Sequence, residues 1–600
     1  MILFAVTPVE GRESVYLHMD NDAYFLGDTI WFSAYITNNA CLGSNSKVLY
    51  VELLSPEGNI VNKQCFRVVG GRSYGEIPLP IQILSGFFEV RAYTKYMMNW
   101  GKDNYYSRVI PVMDSFRLGD SSSYTMLDRE RKGIVEKDVP IPNSVPIRTE
   151  NINVFSVSYD SASVVPFGLI KLQVKGLPQT TFSISITDFD TKFRRTHEMT
   201  VCDYIANELQ AHDDNVKVRF QPEEGITTHG VLYKSKRRLF KNNRKIRMTN
   251  MPMKAKMLAD GETADKAFIS DERGEFHLCL GNVFGKNMLK ISYNPMMADE
   301  NTYIYVSRER LQPRNYLKWE EELPQLCEGI TEKKGNILKN IDVKGHHSNN
   351  KWKPVSMSQL RLDIDEELED MLNQGLRDDK VVGCLSILKK YKYPSLPTRL
   401  VETTDNSFVD SVIPHPYRIS DGVWSSSTFK GLSSYKEMII RTDKATCYAY
   451  SYSERPIYSP PLLSSRNGGT VVDGGWYVDM QSRSSKATGV LKLNLCPSIV
   501  AFLIPKTTEE LSSPYQAWNS HRHIRYTHIL GFQKPSVFRN KDYSVSHPVS
   551  DLRRTLYWNP CCRTDREGKA SIKFYNNSSC HRISVSIEGV TPEGEVVIYK

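Results

Sequence analysis

The side chains with reactive chemistry in this chain are scattered. His521-Arg-His523 with His528 offers paired imidazoles of the kind that hold transition metals, but no carboxylate lies within several residues and the stretch reads as a solvated loop. His346-His347 is a similar pair, and His197-Glu198 lacks the second histidine of a zinc-protease helix. A serine hydrolase needs Gly-x-Ser-x-Gly on a strand-to-helix elbow, and no elbow of that kind is read here. Cys384 follows Gly383 with no base to activate it. The densest chemistry is electrostatic. Lys234, Lys236, Arg237, Arg238, Lys241, Arg244, Lys245 and Arg247, followed by Lys254 and Lys256, fall in a tract with no acidic residue from Gly225 to Ala259. Such a tract is either a long solvated loop between two strands or a site for an anionic surface.

The chain has 11 cysteines at irregular spacing and no Cys-x-x-Cys pair, so neither a zinc ribbon nor a thioredoxin-like site is expected. Cys561 and Cys562 are adjacent, and Cys580 lies one expected hairpin away. In an oxidising compartment a Cys562–Cys580 or Cys561–Cys580 bridge would form; otherwise these are buried free thiols.

The elements that would position these residues are mostly strands. Over 14–114, Ile30, Phe32, Ala34 and Ile36 alternate with Thr29, Trp31, Ser33 and Tyr35, and Phe88, Val90 and Ala92 share a face. Short strands at this spacing imply a β-sandwich. Residues 115–150 read as a linker. In 151–215, Ile170, Leu172 and Val174 alternate with Lys171, Gln173 and Lys175, and Phe182, Ile184 and Ile186 alternate with serines, giving a second sandwich unit; 196–213 reads as a short helical excursion. Residues 216–310 form a third β unit around the basic tract. The region 335–540 is an irregular α+β stretch, with an amphipathic helix over 363–374 and a second helix or strand over 381–391. Residues 541–600 form a C-terminal β unit. The turn Asp-x-x-Gly leading into a strand recurs at Asp271 and Asp565. Trp31, Tyr35, Phe87 and Tyr93 are expected on outward strand faces, where they either anchor a partner or cover a neighbouring domain.

The length is 600 residues, with 77 Lys+Arg and 68 Asp+Glu, a net charge of +9. That balance is too dilute to imply nucleic acid, and 40% hydrophobic residues match ordinary globular composition. No apolar run reaches the ~18 residues of a membrane-spanning helix. The opening Met1-Ile-Leu-Phe-Ala-Val6 lacks the basic start and longer apolar stretch of a secretory signal, which leaves a cytosolic protein or a truncated start; the truncated start is expected.

Asp22-Ala-Tyr-Phe-Leu-Gly-Asp-Thr-Ile-Trp-Phe-Ser-Ala-Tyr35 resembles the second macroglobulin (MG2-type) domain of bacterial α2-macroglobulin relatives. It resembles still more a group of large Bacteroidota envelope proteins that join such a domain to further β domains and to a stretch related to the plug of TonB-dependent receptors. Ser46-Lys-Val-Leu-Tyr-Val-Glu-Leu53, Ser85-Gly-Phe-Phe-Glu-Val-Arg-Ala-Tyr-Thr94, Asn99, Gly531-Phe-Gln-Lys-Pro535, Leu552-Arg-Arg-Thr-Leu-Tyr-Trp-Asn-Pro560 and Phe574-Tyr-Asn-Asn577 look like that group. Residues 216–310 look like a carboxypeptidase-regulatory-like β domain. Ile341-Asp-Val-Lys-Gly345, the helix at 363–374 and Val471-Val-Asp-Gly474 look like a degenerate plug. The resemblance implies tandem macroglobulin- or Ig-like sandwiches in the periplasm or at the outer membrane. It implies a non-enzymatic scaffold docking to a TonB-dependent transport or assembly complex, with no cofactor and no nucleic-acid partner. The alternative it carries is a macroglobulin-like protease-interacting protein with 115–148 as bait. A thioester is excluded for that alternative, because no cysteine stands in Cys-Gly-Glu-Gln.

Overall fold

Residues Thr29–Asn38 place Ile30, Phe32, Ala34 and Ile36 on one face of a strand, all fully buried. The period of two that makes this face apolar puts Ser33, Tyr35 and Thr37 on the other, and these are also hidden, at 3%, 1% and 4% exposure. A strand buried on both sides needs a layer on each. The computed structural model describes residues 11–55, 60–80, 83, 86–101, 104–113, 152–189, 200–210, 218–238, 241–257, 266–297, 302–307, 359–373, 380–391, 398–404, 407–413, 430–443, four short strand pieces between 449 and 477, 498–512, 523–534 and 536–599. The linker at 115–150, the bait segment, His197, His346, His347, His521 and the motif at 341–345 lie outside the described residues.

The first sandwich contains β1 (Glu13–Met19), β2 (Thr29–Asn38), β3 (Val48–Leu54), β4 (Ile60–Arg67), β5 (Arg72–Pro78), β6 (Gly86–Tyr93) and β7 (Tyr106–Met113). In one sheet β2 lies between antiparallel β1 and β5. The other runs β7-β6-β3-β4. Phe32 and Phe66 meet edge to face between them, ring centroids 4.9 Å apart.

The chain continues through β8 (Ile152–Val154), β9 (Ser156–Tyr159), β10 (Leu169–Lys175) and β11 (Thr181–Asp188) to α1 (Val201–Gln210), inside the expected helical excursion. In the third unit, β12 (Ile226–Arg238) pairs with β13 (Lys241–Arg247), β16 (Glu275–Gly281) and β18 (Thr302–Ser307). A second sheet there holds β14 (Pro252–Met257), β15 (Lys266–Ile269) and β17 (Lys286–Tyr293). An α/β layer follows, built from β19 (Gln359–Asp363), α2 (Ile364–Asn373), α3 (Lys380–Lys390), β20 (Thr398–Thr404), β21 (Ser407–Ile413), β22 (Tyr435–Asp443) and β23 (Ser498–Pro505). Its sheet runs β19-β22-β23-β20-β21. The acidic first turn of α2 suits the positive end of the helix, and the Asp363 carboxylate accepts the Glu366 N–H at 3.2 Å. Ile364, Leu368 and Met371 of α2 join Cys384, Ile387 and Leu388 of α3 in a core with Met438, Ile440 and Leu503 of the sheet. Within 335–540, the described residues of 359–443 with 498–505 thus form helices on a sheet, and the segment over 381–391 is a helix.

Two later segments return to earlier units. β24 (Ile524–Leu530) is antiparallel to β17 and completes the third unit's sheet. By position it falls in 335–540, where the histidine stretch is expected to be a loop; instead His528 lies on this strand. β25 (Thr555–Arg563), β26 (Lys569–Tyr575), β27 (Ile583–Val590) and β28 (Val596–Tyr599) then pair with the strands of 152–188. The sheets are β8-β28-β27-β11-β25 and β9-β10-β26. The units read separately as 151–215 and 541–600 thus interleave into one sandwich. Each segment alone has half-buried strands with open edges, and pairing closes one core containing Ile170, Leu172, Val174, Phe182, Ile184 and Ile186 with Leu556, Ile572, Phe574 and Ile587.

The recurring Asp-x-x-Gly is one turn used twice. The Asp271 carboxylate accepts the N–H groups of Arg273 and Glu275, and the Asp565 carboxylate those of Glu567 and Lys569. Gly274 and Gly568 sit at φ +70° and +75°, in the left-handed region. At Gly568 a Cβ would stand 2.2 Å from the Gly176 carbonyl oxygen. Gly568→Ala should therefore destabilise the interleaved sandwich by about 1–3 kcal/mol, read by chemical denaturation; an unchanged midpoint would contradict the turn's role.

Candidate functional site

The polar residues of the described structure gather in the seam between the two sandwiches. β1 delivers His18, and the turn after it delivers Asp20-Asn21-Asp22. From the facing sheet, β11 contributes Ser183 and Ser185, β25 Thr555, and β27 Ser586 and Glu588. His18 Nδ1 lies 2.6 Å from Ser183 Oγ and His18 Nε2 lies 3.1 Å from Ser586 Oγ. The Tyr35 hydroxyl bonds Ser183 Oγ at 2.8 Å and the Glu588 carbonyl at 2.7 Å, and accepts the Ser183 N–H at 3.0 Å. Arg72 donates to the carbonyls of Thr181 and Val590 at 3.0 and 2.8 Å. Asp20 accepts the Trp31 N–H at 2.9 Å and the hydroxyls of Tyr24 and Thr555 at 2.8 Å each; its own carbonyl accepts Ser185.

Burial dominates the electrostatics. It pushes the Asp20 carboxyl up to about 6, against the hydrogen bonds from Thr555, Trp31 and Tyr24 and the charge of Arg554. It also pushes the Tyr35 phenol up to about 12. A narrow cleft at the seam is lined by His18, Asp20, Asp22, Arg108, Ser586 and Glu588 among others. Arg108 pairs with Asp22 at 2.5 Å, and Glu588 bonds Tyr16. The Ser183–His18 pair has the residue types of a nucleophile and base. Ser183, however, is fully buried and donates to the Glu588 carbonyl at 3.1 Å, so its hydroxyl is held as a structural link and is closed to a substrate. The arrangement is suited to holding two sandwiches together.

The other sheet of the first sandwich is equally committed. Glu52 and Arg91 are both fully buried and paired at 2.5 Å; Tyr93 adds a 2.8 Å bond and Lys63 a 3.2 Å contact. Burial pushes the Glu52 carboxyl up, but Lys63 and Arg91 outweigh it and hold it below the usual range. Glu223, leading into the third unit, accepts the Tyr50 hydroxyl at 2.8 Å and the Lys95 ammonium at 2.7 Å. Phe532 is fully buried and bridges to Cys65 and Phe284. Tyr35 and Tyr93 thus face inward onto neighbouring groups, while Trp31 meets Phe538 edge to face; the side chain of Phe87 is outside the description.

The remaining expected residues fall as follows. His528 lies 3.8 Å from Asp365 at the contact between the third unit and α2, where Lys506 also pairs with Asp365 at 2.6 Å. His523 sits edge-on to Tyr293. Among the described residues no group of three or more His, Cys, Asp or Glu could hold a metal. Burial pushes the Cys384 thiol up to about 12, which makes it a poor nucleophile. Cys562 and Cys580 are free thiols at opposite ends of β11. Cys562 faces Phe182, while Cys580 hangs from Asn577, which bonds Asp188. Six residues of strand separate the ends, about 20 Å, against the ~7 Å reach of a disulfide between Cα atoms. The letters Gly71-Arg-Ser-Tyr-Gly75 do occur, but they lead into β5, a strand followed by β6 and not by a helix, where Ser73 donates to the Arg67 carbonyl at 2.9 Å; this is not an elbow. The basic tract is a hairpin of β12 and β13 instead of a loop. The seam has one signal in the sequence, the serines alternating along 181–188 that mark its face.

No family model matches the chain, and no curated protein matches it. Among solved structures it is similar to Salmonella alpha-2-macroglobulin reacted with methylamine, at 9% identity and TM-score 0.22 over 99% of this chain and 40% of that one. It is similar to trypsin-activated alpha-2-macroglobulin from Escherichia coli, at 9% identity and TM-score 0.22 over 98% and 41%. The Yersinia pseudotuberculosis adhesin InvE is matched at 10% identity and TM-score 0.13 over 50% and 61%. The chain spans about two fifths of the length of these alpha-2-macroglobulins.

Asp20 gives the seam a pH signature. Its folded-state pKa, about 6, is raised above the ordinary carboxylate value of 3.8. The folded state therefore binds the proton more tightly, and this group's contribution falls as pH rises from about 4 to 6. Asp20→Asn should remove that loss. Relative to wild type, the variant should gain on the order of 3 kcal/mol between pH 4 and pH 7, measured by denaturant titration at both values. A difference that does not change with pH would show that Asp20 titrates normally.

Proposed function

We propose that the chain is a non-enzymatic β scaffold of the cell envelope that docks to an outer-membrane transport or assembly partner, such as a TonB-dependent complex. One observation carries the scaffold part: His18, Asp20, Tyr35 and Arg72 direct their polar atoms into the neighbouring sandwich. A seam built this way fixes the orientation of the two sandwiches, as a spacer requires. The motifs at both ends that resemble envelope proteins support the location and the class of partner. Docking would use strand edges and exposed side chains at the periphery.

Cross-linking in intact cells tests the reading, with a photoreactive residue at exposed Tyr159 or Leu169. The expected outcome is a cross-link to an outer-membrane transport or assembly protein and recovery with the envelope. Recovery in the soluble cytosolic fraction without such a cross-link would overturn it.

A further inference from the structure

The third unit carries a histidine pair that takes no part in the seams. Along β12, Ile226, Thr228 and Leu232 are buried, and alternation along the strand turns His229 to the opposite face, where it is half-buried. Along β16, Phe276 and Leu278 are buried, and His277 between them is exposed. The register sets His229 directly opposite His277. Their rings lie side by side, with centroids 5.6 Å apart and planes inclined by 13°. Two imidazoles at that separation can each turn one nitrogen onto a single ion, at the bond length of about 2.1 Å that metal–imidazole ligation takes.

The neighbours on this face decide the class of ion. Glu275, two residues before His277, is engaged by Arg247 at 2.7 Å. Cys279, two residues after it, is exposed and stands about 7 Å farther along the strand. No third His, Cys, Asp or Glu among the described residues completes a ligand group. The protein donors are therefore two imidazole nitrogens, with water in the remaining positions. Imidazole suits Ni2+, Cu2+ and Zn2+, whereas Ca2+ and Mg2+ call for oxygen ligands. The Asp271 carboxylate lies within electrostatic reach of His277 and favours a cation there.

We propose that His229 and His277 form a two-imidazole site for a divalent late transition-metal ion, which clips β12 to β16. Each ring ligates through one nitrogen, and the other is left for a hydrogen bond that sets the ring's orientation. The site stands apart from the identity of any protein partner.

The test is equilibrium dialysis of the full chain against Ni2+, chosen because thiolates, which the chain also offers, select Zn2+ and Cu+. Wild type should bind one equivalent that His229→Gln and His277→Gln each weaken about 100-fold, the gain a second linked ligand confers on the first. The double variant should lose little more than either single one, because a chelate fails when one arm is removed. Ni2+ should raise the thermal midpoint of wild type and leave that of all three variants unchanged. His523→Gln, in the other histidine cluster, should keep the equivalent. If half-buried His229 proves necessary for folding, exposed His277→Gln decides alone, with its metal-free midpoint equal to wild type. A strong equivalent that survives His277→Gln, losses that add in the double variant, or loss through His523→Gln instead would each overturn the proposal.

Discussion

The constraint on which the structure depends is that the first sandwich is buried on both of its outer faces as well as within. Its apolar core accounts for one side of every strand, and elsewhere the other side would face water. Here that other side carries His18, Tyr35, Glu52 and Arg91, each at 3% exposure or less. Polar groups hidden to that degree cost stability unless they are hydrogen-bonded. The interleaved sandwich supplies partners for His18 and Tyr35. Glu52 and Arg91 satisfy each other inside the first sandwich, and Glu223 at the third unit takes Tyr50 and Lys95. Removing either neighbour would leave polar groups unpaired, His18, Tyr35 and Arg72 on one side and Tyr50 and Lys95 on the other, so the units depend on one another through polar complementarity as well as apolar packing.

That dependence explains what was legible in the sequence. The alternation of Ile30, Phe32, Ala34 and Ile36, and of Ile170, Leu172 and Val174, reports directly on burial, and the strands lie where the period places them. The helix at 364–373 and the paired Asp-x-x-Gly turns were equally readable, because capping and left-handed glycine are local. Partner choice was not. Nothing in the period of β10 or β11 says that the complementary edges lie near the C-terminus, some 400 residues later. The basic tract was visible as composition, but its hairpin register depends on β12 outrunning β16 and β18. The Cys562–Cys580 pairing failed for the related reason that adjacency along the chain does not measure separation across β11.

The candidate site follows the same logic. A histidine beside two serines, three carboxylates and an arginine has the ingredients of catalysis, but geometry decides their use. Ser183 has no exposed surface, His18 is held from both ring nitrogens, and Asp22 is neutralised by Arg108. The result is a polar adhesive in which the raised pKa of Asp20 makes that group's contribution largest in acid. A scaffold gains from such a seam because polar contacts fix one relative orientation of the two faces, whereas apolar faces can slide.

The central claim, that the first and interleaved sandwiches open as one cooperative body, is tested most directly by native-state hydrogen exchange on wild type and Tyr35→Phe. The Ser183 amide donates to the Tyr35 hydroxyl at 3.0 Å, so the variant leaves a buried donor unpaired, at a cost of about 1–3 kcal/mol. The account predicts that amides of β2, β11 and β27 share one opening free energy and fall together by that amount. It would be contradicted if β10, β11 and β26 kept their wild-type protection while β2 alone exchanged faster.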